Sequence, residues 1–421
     1  MHISRHGATV LYVSLSLAFV LSIPHRPVGD EYIHWLHAVN FSRGNYALSP
    51  WLSTWPTMNF VMSFVIRALG VEQLILGRLV NWMFSVVAFA GLLRLCRNAE
   101  SGTTGQVASL RALQFALSPV TLFVSALVYT DMPALASLIW AAVGVVERKR
   151  ALILFAGGAT IAFRQSHILW FGALILWFLA QEAQRYKAAL PSERLWATIR
   201  DTLHSQRAVI VGAAAVCLLW AIIVWTTGGV AAGQETQVGH RLSLRGAPNV
   251  FFSMVVWVIC FLPLAIALLM HANADDARMA TPKRLLLLSF AFASAVLFVA
   301  TCPSNTDPSV QQFIRNRILR HLQSPVGHSV LVVTSIVGAY CWLRGRWIPT
   351  VAYMKTPTIA FAIGYLVPFW LIEQRYYLPM FMLFTVFRAA QPRRVEIAQV
   401  LWSCLLSAWF LHELIVKGRL L

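Results

Sequence analysis

The sequence predicts an all-α, polytopic membrane protein: one multispanning domain over residues 1–421 with about thirteen transmembrane helices. Of its 421 residues, 58% are hydrophobic and only 12% are charged, about half the charged fraction of a soluble domain. The apolar runs are long and unbroken, whereas the strands of a membrane β-barrel alternate apolar and polar positions. A net charge of +18 would indicate nucleic acid binding in a soluble protein. Here the basic residues lie in loops between apolar runs, so topology explains them and no nucleic acid partner is expected.

Each apolar run long enough to cross a bilayer is assigned as a span. In chain order the predicted spans cover residues 8–23, 74–95, 107–128, 132–147, 151–164, 166–181, 208–227, 248–271, 285–301, 326–343, 356–372, 376–390 and 396–416. The first run is kept as a helix rather than a signal peptide, because no small-residue cleavage site follows it. Trp55–Gly70 is short and begins next to a proline, so we expect a helix at the membrane surface.

The basic residues predict the orientation of these spans. With a cytosolic N-terminus, almost every Arg and Lys cluster falls in a cytosolic loop, including the long loop 182–207, as the positive-inside rule requires. The cluster of Arg315, Arg317 and Arg320 is the exception, because its loop is assigned to the opposite side. The first loop, 24–73, then lies on the lumenal face and contains the surface helix.

Most polar residues that would be costly in a bilayer lie at the lumenal ends of spans. They are Asp30-Glu31-Tyr32-Ile33-His34, Tyr129-Thr130-Asp131, Phe163-Arg164-Gln165-Ser166-His167, Gln234-Glu235, His240-Arg241, Asn305-Thr306-Asp307 and Glu373-Gln374-Arg375-Tyr376-Tyr377. Ionisable side chains at membrane depth indicate a functional site. The sequence therefore predicts a lumenal active site.

Two carboxylates and two histidines lie at the exit of the first span. In a helix, Asp30, His34 and His37 would lie at i, i+4 and i+7 on one face. Three interpretations fit this pattern: a carboxylate general base, a metal site and plain helix capping by an acidic first turn. Capping explains one carboxylate better than it explains Asp30 and Glu31 together with two histidines, so the general base is favoured.

Two arginines at lumenal span ends are candidates for binding phosphate. Arg164 and Arg375 are followed by Gln165 and Tyr376, and a guanidinium group can donate two parallel hydrogen bonds without ever losing its charge. The alternatives are an arginine that snorkels to the interface and, for Arg375, a local ion pair. Asp131 fits a functional role and the N-cap of the next helix equally well.

Other sequence features are better explained by structural roles than by catalysis or cofactor binding. Gly228-Gly229 ends a span as a C-cap would. The six cysteines are widely spaced and fit neither a disulfide framework nor a zinc site. Neither a Walker motif nor a dinucleotide-binding glycine pattern is present. No cofactor and no metal are expected.

With these motifs the chain resembles the dolichyl-phosphate-glucose-dependent alpha-1,2-glucosyltransferases of lipid-linked N-glycan assembly, a family of the GT-C class. The segments that carry the resemblance are Asp30-Glu31-Tyr32-Ile33-His34, Gly44-Asn45-Tyr46 with Pro50–Pro56, Tyr129-Thr130-Asp131, Phe163–Trp170, Gly228–His240 and Leu371–Pro379. They occur in the family's order along the whole chain. The resemblance implies a GT-C-like fold and a multi-pass protein of the endoplasmic reticulum membrane.

The resemblance also implies a reaction and roles for residues. Glucose passes from dolichyl-phosphate-glucose to a dolichyl-pyrophosphate oligosaccharide by an inverting displacement that forms the terminal alpha-1,2 linkage. The catalytic residues would be Asp30 as the base, Glu31 as its alternative, and His34. The substrate-binding residues would be Arg164, Gln165, Asp131, His240, Arg241, Arg375, Tyr376, Arg315 and Arg317, with membrane lipid as a further partner.

The sequence departs from the family pattern at two places. Ser49 stands where the family has an acidic residue, and Asp307-Pro308-Ser309-Val310-Gln311 replaces the family's Asp-Asn-Arg-His-Tyr. Arg315 and Arg317 would then supply the charge that this segment lacks. Three alternatives stay open at this point: a mannosyltransferase that uses dolichyl-phosphate-mannose, a catalytically silent relative and a transporter-like protein.

Overall fold

The fold is all-α, as the sequence predicts. The computed structural model describes residues 4–99, 105–189, 195–229, 231–232, 248–270, 325–368 and 373–417. Its α-helices are α1 (Arg5–Ser22), α2 (Glu31–Ser42), α3 (Thr57–Leu69), α4 (Leu74–Ala99), α5 (Gly105–Ala116), α6 (Pro119–Ala126), α7 (Asp131–Glu147), α8 (Arg150–Phe163), α9 (Ile168–Ala189), α10 (Leu195–Ser205), α11 (Arg207–Thr227), α12 (Pro248–Cys260), α13 (Leu262–Met270), α14 (Pro325–Arg344), α15 (Lys355–Leu366), α16 (Leu378–Phe387) and α17 (Arg393–Lys417). Short 3-10 helices cover Gln165–His167, Pro349–Met354 and Gln374–Tyr377.

Fewer helices than predicted are long enough to cross a bilayer. Among the described residues, 5 helices are long and apolar enough to cross a membrane, or up to 7 if each bent pair counts as one span. The predicted number of about thirteen is therefore not confirmed. The helices α8 and α16 have only 14 and 10 residues, and at 1.5 Å per residue they are shorter than a ~30 Å hydrocarbon core. The predicted span 285–301 lies outside the described residues.

Two segments predicted as single spans are broken. The 107–128 segment forms α5 and α6, which meet at an angle of 65°, and the 248–271 segment forms α12 and α13, which meet at 93°. Pro119 and Pro263 stand in the first turns of α6 and α13. Proline has no N–H to donate and disfavours helical geometry in the preceding residue, so each apolar run bends there.

The first loop contains two packed helices, α2 and α3. Met58, Met62 and Ile66 of α3 are buried, whereas Phe64 on the other side of the helix is 74% exposed. The helix ends at Gly70, whose φ of 67° favours glycine. A short helix with an exposed phenylalanine fits the predicted surface helix over Trp55–Gly70.

Helix ends bring polar segments together. Helix α7 packs against α4 and α8, and after α8 a single extended residue, Arg164, leads into the 3-10 helix Gln165–His167. The start of α2, the start of α7 and the 3-10 helix Gln374–Tyr377 meet this junction through ion pairs. The candidate site lies there.

A buried ion pair lies at the other end of α16. Arg388 follows that helix and pairs with Glu396, and the two side chains are 2% and 0% exposed. Ten helical residues separate this pair from the candidate site by about 15 Å. The predicted loop 182–207 is largely helical where the structure describes it, because α9 and α10 extend into it.

Candidate active site

Asp30 stands at the start of α2. It occupies the N-cap position, but its side chain makes no capping hydrogen bond, so capping does not explain this residue. The carboxylate is 27% exposed. A carboxylate near a helix N-terminus is stabilised by the helix dipole, and partial exposure leaves it accessible to a substrate.

Arg375 connects Asp30 to the rest of the site. Its Nη2 lies 3.3 Å from Oδ2 of Asp30, and its Nη1 lies 3.5 Å from Oδ2 of Asp131. Its Nε pairs with Glu373. The guanidinium group also lies over the ring of Tyr129, 5.0 Å from the centroid. Both distances to aspartate are long for charge-assisted hydrogen bonds.

Asp131 and Arg164 form a buried ion pair beside Arg375. Asp131 is the first residue of α7, and Arg164 follows the last residue of α8. Their side chains are 4% and 7% exposed, and the Arg164 guanidinium lies 5.0 Å from the ring centroid of Tyr376. Nε of Arg164 has no hydrogen-bond partner among the described residues. One aspartate thus holds both arginines that the sequence nominates for phosphate.

His34 lies one helical turn after Asp30 and is neutral at physiological pH. Burial lowers the pKa of its imidazole to about 4, and Arg375 acts in the same direction, while the negative charges of Asp30 and Asp131 oppose the change. The ring meets that of Tyr129 edge to face at 6.1 Å. His37 lies apart from this group: its Nδ1 contacts the Ile33 carbonyl at 2.7 Å, and its Nε2 accepts from the Ser49 amide at 2.8 Å.

Glu31 follows Asp30 directly, yet its environment is different. Its side chain is 0% exposed and forms a two-point ion pair with Arg78 of α4. The backbone amides of Val28 and Val128 also donate to its two oxygens, each at 3.0 Å. Both oxygens of Glu31 therefore accept two hydrogen bonds each from the protein, which favours Asp30 as the base.

Gln165 attaches the first loop to the site. Its side-chain Nε2 donates to the Ser53 carbonyl at 3.0 Å, and its backbone carbonyl accepts from Nε1 of Trp220 at 3.2 Å. Nearby, the Thr57 hydroxyl donates to the Ala162 carbonyl at 2.6 Å. These contacts hold the loop against the junction that presents Arg164.

Other residues that the sequence singles out either have a structural role or lie outside the described residues. Gly228 is the left-handed C-cap of α11, with a φ of 76°, so the structural interpretation of Gly228-Gly229 is confirmed. The predicted substrate-binding residues His240, Arg241, Arg315 and Arg317 lie outside the described residues, as does the divergent 307–311 segment.

Two residues near the site had no place in the sequence prediction. Arg78 is a cation near the start of the predicted span 74–95, well away from Arg94 at its cytosolic end. This is the signal that reveals it, because charge inside an apolar run needs a partner. Tyr365 of α15 lies 5.9 Å from the ring of His167 and also interacts with Arg164. No polar motif surrounds it, so nothing in the sequence points to it.

The comparisons with known proteins agree with the resemblance. No curated protein and no solved structure matches the chain. The profile of the DIE2/ALG10 family matches residues 25–386, which is most of the chain and includes every site segment described above. This family carries out glucose transfer, which favours glucose over mannose and an enzyme over a transporter. The chain belongs to the DIE2/ALG10 family and is a dolichyl-phosphate-glucose alpha-1,2-glucosyltransferase, which adds the terminal glucose to the lipid-linked oligosaccharide.

Proposed function

We propose that Asp30 is the general base of this transfer and that Arg164 and Arg375 bind the donor phosphate. The observation that supports this assignment is the chain of contacts from Asp30 through Arg375 and Asp131 to Arg164. An inverting transfer needs a base and a phosphate ligand on opposite sides of one anomeric carbon. These side chains offer both within the reach of a single sugar.

The reaction is a single displacement. The acceptor hydroxyl oxygen attacks the anomeric carbon, the bond from that carbon to the phosphate oxygen breaks, and its electron pair stays on the phosphate. Asp30 takes the hydroxyl proton. The two guanidinium groups stabilise the charge that develops on the departing dolichyl phosphate. Inversion of a beta-linked donor gives the alpha-linked product.

The charge balance of the site links donor binding to the base. Among the described residues, three carboxylates, Asp30, Asp131 and Glu373, face two guanidinium groups, so these five side chains together carry an excess negative charge without donor. The donor phosphate must therefore replace a carboxylate on an arginine. The long contact between Arg375 and Asp30, 3.3 Å, is readily exchanged. Its loss removes the Arg375 charge from Asp30, so the carboxylate becomes a stronger base when donor is present.

Other side chains of the site position these groups. Asp131 holds both arginines, and the ring of Tyr376 lies against each guanidinium, at 5.0 Å from Arg164 and 5.8 Å from Arg375. Gln165 holds the first loop, and neutral His34 borders the base. The substrate-binding roles of His240, Arg241, Arg315 and Arg317 belong to the same proposal.

The location follows from the substrates. Donor and acceptor both carry a dolichyl chain, the acceptor through a pyrophosphate, so their head groups lie at the membrane surface where the polar helix ends meet. The basic loops favour the opposite, cytosolic side. We therefore assign the protein to the endoplasmic reticulum membrane, with its first loop, 24–73, and its site in the lumen.

The test is lipid-linked oligosaccharide profiling of cells that lack this protein. We expect a precursor short of one glucose to accumulate, and re-expression of the wild-type chain to remove it. The Asp30→Asn chain, expressed at the same level, is expected to leave the precursor in place. A normal profile in the deletion cells would contradict the function, whereas rescue by Asp30→Asn would contradict only the base assignment.

A further inference from the structure

A buried ion pair lies directly behind the proposed base. Arg78 Nε donates to Oε1 of Glu31 at 2.9 Å, and Nη2 donates to Oε2 at 2.7 Å. The Arg78 and Glu31 side chains are 1% and 0% exposed. This geometry is the parallel two-point pairing that gives arginine and carboxylate their strongest and most directional contact.

The pair joins three segments of the chain. Glu31 accepts from the Val128 amide in the turn before α7 and from the Val28 amide in the first loop, both at 3.0 Å. Arg78 donates from α4 to the carbonyls of Pro24, at 2.7 Å, and Arg26, at 3.0 Å. Two side chains thus bind the exit of α1, helix α4 and the turn before α7.

Both aspartates of the site are attached to this pair through short pieces of backbone. Asp30 is the neighbour of Glu31, and Asp131 follows Val128 by three residues, with the Arg375-stacking Tyr129 between them. A tilt of the pair would therefore move Asp30 and Asp131 relative to each other. Arg375 contacts both aspartates at once, so their separation matters for the site.

We propose that Glu31 and Arg78 are positioning residues that set the distance between Asp30 and Asp131. Glu31 is then not a second base, because both of its oxygens already accept hydrogen bonds from the protein. The inference rests on the proposed role of Asp30. A buried ion pair is a poor source of stability, since desolvation of the charges offsets their attraction. The role that we assign to this pair is instead to hold three backbone segments in fixed positions.

The test compares single and double variants of the purified protein. Glu31→Gln leaves Arg78 as a buried charge without its counter-ion, so this variant is expected to lose thermal stability as well as activity. In the double variant Glu31→Gln, Arg78→Gln both charges are absent, and we expect its melting temperature to return close to the wild-type value. Its kcat is still expected to be at least tenfold lower, because the two-point contact is gone.

Arg388 and Glu396 supply the matched control. Their contact is also bidentate and buried, and Glu396 likewise accepts from a backbone amide, that of Gln391, at 2.9 Å. They lie at the far end of α16, and none of the site segments that the structure describes contacts them. The double variant Glu396→Gln, Arg388→Gln is expected to keep kcat within about threefold of wild type at a comparable change in melting temperature.

The pH dependence of kcat separates positioning from proton transfer. If Glu31 positions and Asp30 is the base, the Glu31→Gln, Arg78→Gln variant retains the acidic limb of the profile at a reduced plateau. Loss of that limb would make Glu31 the base and overturn the inference, as would full activity of the folded double variant. Full activity of Asp30→Asn, measured alongside, would instead overturn the proposed function of Asp30.

Discussion

Arg375 and Asp30 are 345 positions apart in the sequence, yet Nη2 of the arginine lies 3.3 Å from Oδ2 of the aspartate. The proposed base and the proposed phosphate ligand therefore neutralise each other when no donor is bound. A carboxylate held by a guanidinium group is a weak base. Because this contact is long, a donor phosphate can displace it, and the carboxylate then loses the Arg375 charge next to the sugar that will react.

Replacement of Asp30 by asparagine tests the base directly. The change preserves side-chain size but leaves no group to take the proton, so we expect kcat to fall by about 10²–10⁴-fold, the usual contribution of a general base. Stability is expected to stay near wild type, since the carboxylate is 27% exposed and makes no capping bond. Glucose transfer to a synthetic acceptor, together with a melting curve, measures both effects.

Glu72 provides the control for that change. It lies in the same loop and pairs with Arg43 at the surface, where the two side chains are 37% and 63% exposed. An exposed ion pair contributes little, so Glu72→Gln is expected to leave both transfer and folding unchanged. Equal losses in Glu72→Gln and Asp30→Asn would show that loop charge, rather than a base, is being measured.

Substitution of Arg164 by lysine tests the phosphate ligand. Lysine keeps the positive charge, but it lacks the planar fork that binds Asp131 and phosphate at the same time. We expect the kcat/KM for the donor to fall by about 10–100-fold, equivalent to about 1.4–2.7 kcal/mol, with a smaller effect on the KM for the acceptor. An unchanged donor kcat/KM in a folded Arg164→Lys chain would make Arg164 structural.

The sequence predicts which residues share the site better than it predicts their contacts. Asp30, Asp131, Arg164 and Arg375 each end an apolar run on the same predicted face, and the structure brings them together. Sequence alone does not show which of Asp30 and Glu31 faces the site, because both stand at the same helix start. Successive residues of a helix point about 100° apart, so Asp30 faces Arg375 and Glu31 faces the buried Arg78.

The errors in the fold prediction also have physical causes. Hydropathy predicts one continuous span for each of the apolar runs that contain Pro119 and Pro263, but proline disfavours an uninterrupted helix, so both runs bend. The sequence marks Arg78 as a charge inside an apolar run, but it does not identify its partner, because Glu31 lies 47 positions away. Hydropathy also cannot distinguish a span from a shorter apolar helix buried in the protein, which explains why α16 resembles a span.

The pKa of His34 predicts how stability changes with pH. Burial lowers this pKa from 6.5 to about 4, so between these values the unfolded chain binds a proton that the folded chain does not. The stabilising contribution is full above pH 6.5 and is lost as pH falls toward 4, by at most about 1.4 kcal/mol per pH unit. We expect His34→Gln to show a smaller drop in melting temperature from pH 7 to pH 5 than wild type.

The same variant separates His34 from the pH dependence of catalysis. Because His34 stays neutral in the folded chain above about pH 4, an acidic limb of kcat between pH 7 and pH 5 cannot come from its protonation. The limb is therefore expected to persist in His34→Gln. Its disappearance would identify His34 as the group that titrates and remove the argument that burial keeps it neutral.

Asp131 is expected to behave differently from Asp30, although both are aspartates in contact with Arg375. Asp131 is 4% exposed and holds Arg164, itself 7% exposed, so Asp131→Asn leaves a buried guanidinium group without its counter-ion. Breaking such a pair costs about 3–5 kcal/mol, whereas Asp30→Asn is expected to cost little stability. Melting temperatures of the two variants, measured in the same detergent, check this contrast. A double variant, Asp131→Asn with Arg164→Gln, leaves neither of the two charges and is expected to recover part of the lost stability but none of the transfer activity. If Asp131→Asn melts like wild type, the ion pair does not hold the two arginines, and the phosphate site must be organised by Glu373 and Tyr376 instead.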